Sequence, residues 1–187
     1  MTAMATAPDW RTRHALVTGG ARGIGRAVTQ ALLTRGARVT VLGRSPLAAD
    51  RLRTLAGSTD AAARLQAVAA DVAEPAAVMQ AFAQARAGFG PIDTLVNNAG
   101  QAHSAPFMKM DMPLWQQMLA VNLTGTMVCT QAALPDMLAT GWGRIVNVAS
   151  TAAQRGYAYV SAYCAAKHGV LGLTRSLALE LATKGVT

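Results

Sequence analysis

The sequence is short of cysteine, histidine, acidic residues and aromatics, and each shortage closes off a class of protein. Two cysteines, Cys129 and Cys164, and three histidines among 187 residues give neither a disulfide framework nor metal-ligand spacing, which argues against a thiol-stapled scaffold and a metal enzyme. Long apolar runs are lacking too. The longest charge-free stretch, residues 112–135, is interrupted by Gln116, Gln117, Asn122, Thr124, Thr126, Thr130 and Gln131, which suits a buried helix rather than a membrane span. The N-terminus carries no charged and apolar leader pattern, so the protein is expected in a reducing cytoplasm, with no membrane partner. Charged residues make up 14% against 52% hydrophobic. That balance excludes a disordered chain, and at this length it fills one domain with a core of its own.

Acids number 9 against 17 bases, a net charge of +8, but the excess is local. Nine arginines lie at or before Arg53, opposed only by Asp9 and Asp50, while the rest of the chain is nearly balanced. Arginines dispersed around one glycine-rich turn, with few aromatics beside them, do not describe a nucleic-acid groove. No nucleic acid is expected as a partner.

What is present is alternation. Apolar β-type runs at 14–18, 38–42, 65–68, 94–97 and 144–148 alternate with helical patterns at 24–35, 46–55, 75–88, 113–138 and 159–184. Residues 1–12 read as a frayed lead-in. Pro46, Pro75 and Pro113 mark first turns, and Gly36, Gly88 and Gly141 follow helix ends. Strict alternation predicts an α/β fold, a parallel sheet with helices on both faces. Ala162, Ala166, Gly169 and Gly172 share one face of the last helix, which suits either a subunit contact or packing within the chain. A homodimer or homotetramer is expected.

The first strand runs into Thr18-Gly19-Gly20-Ala21-Arg22-Gly23-Ile24-Gly25. Glycines at a strand-to-helix turn let a pyrophosphate approach the backbone, and the helix N-terminus offers unpaired N–H groups. The second strand ends in Gly43-Arg44 with no acid to hold ribose hydroxyls. Arg44, with Arg22, matches the 2′-phosphate of NADP(H), which is expected over NAD(H), although NAD(H) remains possible. Both arginines also read as solvated surface charges.

Ser150 closes the fifth strand, Tyr163 follows 13 residues on, and Lys167 lies four further along the same helix face. A phenol is about a thousandth ionised at pH 7, and an ammonium that lowers its pKa by about two units raises that to about a tenth. Such a phenol can pass a proton to or from a substrate oxygen that a serine hydroxyl holds. Otherwise Tyr163 is an ordinary amphipathic position and Lys167 a snorkelling charge.

Taken together, Thr18 to Gly25, Asp71-Val72, Asn97-Asn98-Ala99-Gly100, Asn122, Ser150, Tyr163 and Lys167 resemble the short-chain dehydrogenase/reductase family over nearly the whole chain. The resemblance implies a single NAD(P)-binding, Rossmann-like doubly wound domain over residues 1–187. It implies carbonyl–alcohol interconversion with catalytic Asn122, Ser150, Tyr163 and Lys167. Cofactor contacts would come from Thr18, Gly19, Arg22, Gly23, Ile24, Gly25, Arg44, Asp71, Val72, Asn98, Ala99, Gly100, Tyr163 and Lys167. By the same resemblance Asp71 holds the adenine amino group, Asn97 lies beside the adenosine, and Asn122 anchors a water relay to Lys167. The middle of the chain is similar to members acting on 3-oxoacyl or 3-hydroxyacyl thioesters, with Arg155 a candidate contact for an anionic carrier. The family continues past the last helix with further strands and a substrate lid, so a chain ending at Thr187 is expected to be C-terminally truncated, with those elements missing, and inactive by itself. A non-catalytic dinucleotide sensor on the same fold is the alternative.

Overall fold

Parallel strands covered on both faces must be apolar along their whole length, and β1 (His14–Thr18) is buried at every position. In the computed structural model, which describes residues 9–187, it sits at the centre of five parallel strands. The others are β2 (Arg38–Gly43), β3 (Leu65–Ala69), β4 (Thr94–Asn97) and β5 (Arg144–Asn147), in the order β3-β2-β1-β4-β5. Leu16 lies opposite Thr40 on one side and Leu95 on the other.

The pleat sends alternate residues to two cores. Ala15, Val17, Val39 and Val41 pack under Leu32, Leu33, Leu55 and Ala61, which belong to α1 (Gly23–Thr34), α2 (Ala49–Ala56) and α3 (Thr59–Ala63). Leu16, Leu42, Val68 and Leu95 pack under Val78, Phe82, Val128, Ala132 and Leu181. These come from α4 (Pro75–Phe89), α6 (Gly125–Thr140) and α7 (Ser161–Leu181), with α5 (Met112–Leu119) leading into α6. The expected doubly wound sheet is thus observed, and its strand order reverses between β1 and β4.

Three expectations change in detail. The helix expected at 46–55 starts behind Ala48, and a second short helix follows Gly57, whose φ of +79° ends the first; Ser58 Oγ caps the second by accepting from Ala61 N at 3.2 Å. The helix expected at 113–138 is α5 and α6 joined by a π turn over Ala120–Thr124. Of the lead-in, residues 1–8 lie outside the described residues, but Trp10–Thr12 form a 3-10 turn capped by Asp9, and Trp10 packs on the α1-side core. An aromatic anchor therefore ties down residues 10–12 at the end of that lead-in.

After α7 the chain turns at Gly185 (φ +72°) and runs beside β5. Ile145 N donates to Thr187 O at 2.8 Å and Thr187 N to Gly143 O at 3.1 Å.

Candidate functional site

In an open α/β sheet the crevice forms beyond the carboxyl ends of the strands, where the order reverses. Here the loops leaving β1 and β4 are laced together at that point. Thr18 Oγ1 accepts from Asn98 N (3.0 Å) and Ala99 N (2.9 Å), while Asn98 Nδ2 donates to Thr18 O at 2.9 Å. Gly19 has φ +65°, and a Cβ there would come within 2.9 Å of Asn98 Nδ2; one on Gly25 would strike the Gly19 carbonyl oxygen. Glycine is therefore required at both positions by the contact between the loops as well as by the turn. α1 begins behind Arg22 with no side-chain cap and no acid in its first turn, so its leading N–H groups remain available to an anion.

A cavity of about 930 Å³ opens over this turn. Ten of the expected residues line it: Gly19, Arg22, Gly23, Ile24, Arg44, Asp71, Val72, Asn98, Ala99 and Gly100. Thr18 and Gly25 are buried beneath its wall. Asp71 Oδ1 accepts from Ala73 N at 3.0 Å, closing the loop before α4 as an Asx turn. Asn97 does not reach the cavity. It donates to Thr130 Oγ1 (3.1 Å) and Asn147 Oδ1 (2.8 Å), and Asn147 donates to Thr174 Oγ1 at 2.9 Å, so this polar chain ties β4 and β5 to α6 and α7.

The other four expected residues lie outside the cavity lining, and Gly100 joins two of them to it. A Cβ on Gly100 would lie 2.8 Å from Asn122 Oδ1 and 3.9 Å from Lys167 Nζ. Asn122, fully buried in the π turn, clips the backbone of Gln101 from both sides: Nδ2 donates to Gln101 O at 2.9 Å and Oδ1 accepts from Gln101 N at 3.1 Å. Its second amide hydrogen goes to Met118 O at 3.0 Å, so both side-chain donors are committed to the backbone. Lys167 is buried, its Nζ donates to Val148 O at 2.7 Å, and it sits 5.9 Å from the centre of the Tyr163 ring. Burial pushes its ammonium below the ordinary lysine range. Ser150 Oγ accepts from Ala152 N at 3.1 Å, which leaves its hydroxyl hydrogen free to donate. Arg155 stacks on Tyr157 and donates to its hydroxyl at 2.7 Å; that hydroxyl donates to Thr151 Oγ1.

Sequence reasoning passed over Arg26, Arg51 and Gln101, which also line the cavity. Arg26, four residues after Arg22 on one helix face, was within reach of a spacing argument. The Val148 carbonyl that holds Lys167 was not, because any residue type supplies a carbonyl.

This geometry defines a doubly wound α/β domain with a crevice over its glycine-rich turn and a buried lysine close to Gly100 at one end of it. The chain belongs to the short-chain dehydrogenase family, whose profile matches residues 13–187. It is 42% identical to D-threitol dehydrogenase from Mycolicibacterium smegmatis, covering 92% of this chain and 65% of that protein. It is 40% identical to 3-oxoacyl-[acyl-carrier-protein] reductase from Synechocystis, covering 92% and 70%. A variant of actinorhodin polyketide ketoreductase solved with NADPH superposes with a TM-score of 0.86 at 36% identity, covering 94% of this chain and 67% of the other. The chain thus spans about two thirds of the length of these relatives.

Proposed function

We propose that the full-length protein is an NADP(H)-preferring oxidoreductase interconverting a secondary alcohol and its carbonyl, with Ser150, Tyr163 and Lys167 as the proton relay. The observation that carries this reading is the burial of an ammonium beside the Tyr163 ring at the Gly100 end of the cavity. The residues fit a dinucleotide: the uncapped start of α1 and the close approach at Gly19 leave backbone for a pyrophosphate, and Arg22 and Arg44 supply cations for a 2′-phosphate. When bound, the nicotinamide supplies the two-electron carrier.

The chain's own residues handle the proton and the substrate. Ser150 donates its free hydroxyl hydrogen to the substrate oxygen. Tyr163 Oη takes the alcohol proton in oxidation and returns it in reduction. Lys167, fixed by the Val148 carbonyl, keeps positive charge beside the phenol and favours its ionised form. Asn122 acts one step removed, as a positioning residue that holds Gln101 and the adjoining Gly100 against the relay. The named relatives act on a sugar alcohol and on an acyl thioester, so the proposal is pitched at the secondary alcohol, with a 3-oxoacyl thioester as one substrate to test. The two unpaired thiols, Cys129 and Cys164, both buried, suit the cytoplasm.

Tyr163→Phe is the direct test. Turnover should fall by about a thousandfold or more, while the dissociation constant for NADPH, read by fluorescence titration, stays within about twofold. Retained turnover sinks the relay.

A further inference from the structure

The relay residues are divided between two elements: Ser150 follows the end of β5, while Tyr163 and Lys167 ride on α7. A misplacement of about 1 Å between reacting groups can cost about a hundredfold in rate, so whatever fixes the helix against the strand bears on turnover. Two hydrogen bonds do this. Lys167 Nζ donates to Val148 O at 2.7 Å, and Asn147 Nδ2 donates to Thr174 Oγ1 at 2.9 Å. The two anchors are neighbours in the strand, but on the helix they lie seven residues apart, two turns or about 10 Å. Held at Lys167 alone, α7 could pivot about that contact; the second bond, two turns along the same face, stops the pivot. Thr174 is fully used by the arrangement. Its hydroxyl hydrogen goes to Val170 O at 2.7 Å, the back-bond common to helical threonines, which leaves its oxygen to accept from Asn147. Asn147 Oδ1 accepts from Asn97 Nδ2 at 2.8 Å, and that bond turns the Asn147 amide hydrogens toward the helix.

We infer that Thr174, through Asn147, is a positioning residue for the relay: it fixes the register of α7 against β5, and with it the Lys167 ammonium beside Tyr163 and the gap between Tyr163 and Ser150. The inference rests on the relay proposed above and adds to it a residue two helical turns beyond Lys167 and outside the cavity lining.

The experiment compares the full-length protein with Thr174→Val, which keeps the shape and removes the hydroxyl, Thr174→Ser, which keeps the hydroxyl, Asn147→Leu, and the double variant Thr174→Val with Asn147→Leu. Thr174→Val should lower kcat by about tenfold or more, with KM and the NADPH dissociation constant within about twofold. The pH of half-maximal alcohol oxidation should move up by about half a unit or more, because the ammonium that favours the phenolate is held less firmly beside it. Thr174→Ser should restore both quantities, and the double variant should lose little more than either single one, since the pair acts as a unit. His14→Asn, which loosens the fold at the other end of the sheet, should lose stability with kcat and the pH profile unchanged. Wild-type kcat and pH profile in Thr174→Val overturn the inference, as does a loss in Thr174→Ser as large as in Thr174→Val, or an equal kinetic loss in His14→Asn. Full turnover by Tyr163→Phe overturns the relay reading beneath it, whereas a relay that needs Tyr163 and is indifferent to Thr174 overturns this inference alone.

Discussion

At the scale of single residues, a buried histidine at the end of the sheet opposite the cavity sets an acid limit on stability. His14 Nδ1 lies 2.9 Å from Gly90 O and Nε2 2.7 Å from Thr40 Oγ1, which also accepts from Gln66 Nε2 at 2.7 Å. The carbonyl requires a proton on Nδ1. Thr40, accepting from Gln66, then donates its hydrogen to a bare Nε2, so the network holds the neutral ring. Burial is the main cause that pushes the His14 pKa below 6.5; the Gly90 backbone hydrogen bond opposes it, Arg38 adds to it, and the Pro91 backbone and Asp136 oppose it more weakly. The folded state therefore resists a proton that the unfolded chain accepts. Stability from this site is present above pH 6.5 and is lost as pH falls below it, by at most about 1.4 kcal/mol per pH unit. Burial raises the Asp93 carboxyl above its ordinary value, which works in the opposite direction at lower pH. Urea denaturation across pH 7 to 5 should show wild-type stability declining and His14→Asn, though weaker throughout, declining less; parallel curves would remove His14 from the account. The sequence gives no hint of this network, since a lone His at a strand start has no spacing partner, whereas Tyr163 and Lys167 announce themselves by their four-residue separation.

At the scale of elements, the π turn between α5 and α6 is the device that brings Asn122 to the site. A residue of wide helix register places a buried amide against Gln101 while leaving the flanking helices continuous, the setting in which such turns recur at functional sites. Asn122→Leu leaves the Gln101 N–H and C=O without their partners, and the cost should be about 2–4 kcal/mol in urea denaturation. Turnover should fall with dinucleotide affinity reduced as well, because Gly100 lines the cavity. A variant of wild-type stability would show that the clip is idle. The span 113–138 reads as one helix because its start and stop signals are Pro113 and Gly141, with neither proline nor a glycine pair at 120–124, and a one-residue change of register leaves no compositional mark. The small-residue face of α7 was equally ambiguous, and the structure resolves most of it inward. Ala162 and Ala166 are buried, and a Cβ on Gly169 would meet Leu123 at 2.7 Å, so only Gly172 of the four remains exposed.

At the scale of the whole molecule, that inward packing moves the expected self-association to another surface. No helix among the described residues is long and apolar enough to cross a membrane, yet Phe107, Met108 and Met112 are 74%, 93% and 61% exposed, three large apolar side chains within six residues. Single exposed apolar residues are ordinary, but a concentrated set marks a contact. The same segment holds Lys109 and Asp111, opposite charges two residues apart. A twofold contact pairs each surface with its own copy, so the lysine of one protomer can meet the aspartate of the other on both sides of the axis. The segment is also held in place, because Ala105 N donates to Tyr159 O at 2.8 Å and Asp111 Oδ1 caps α5 by accepting from Leu114 N. An ordered apolar surface with self-complementary charge predicts a homodimer, or a tetramer built from it. Sedimentation equilibrium at micromolar concentration should show association, and Met108→Lys, which puts four cations where two faced two anions, should weaken it by about tenfold or more, an effect of about 1.4 kcal/mol. Circular dichroism of that variant should be unchanged, since the side chain it replaces is almost fully exposed. A protein that sediments as a monomer at tens of micromolar would falsify the assignment of this surface.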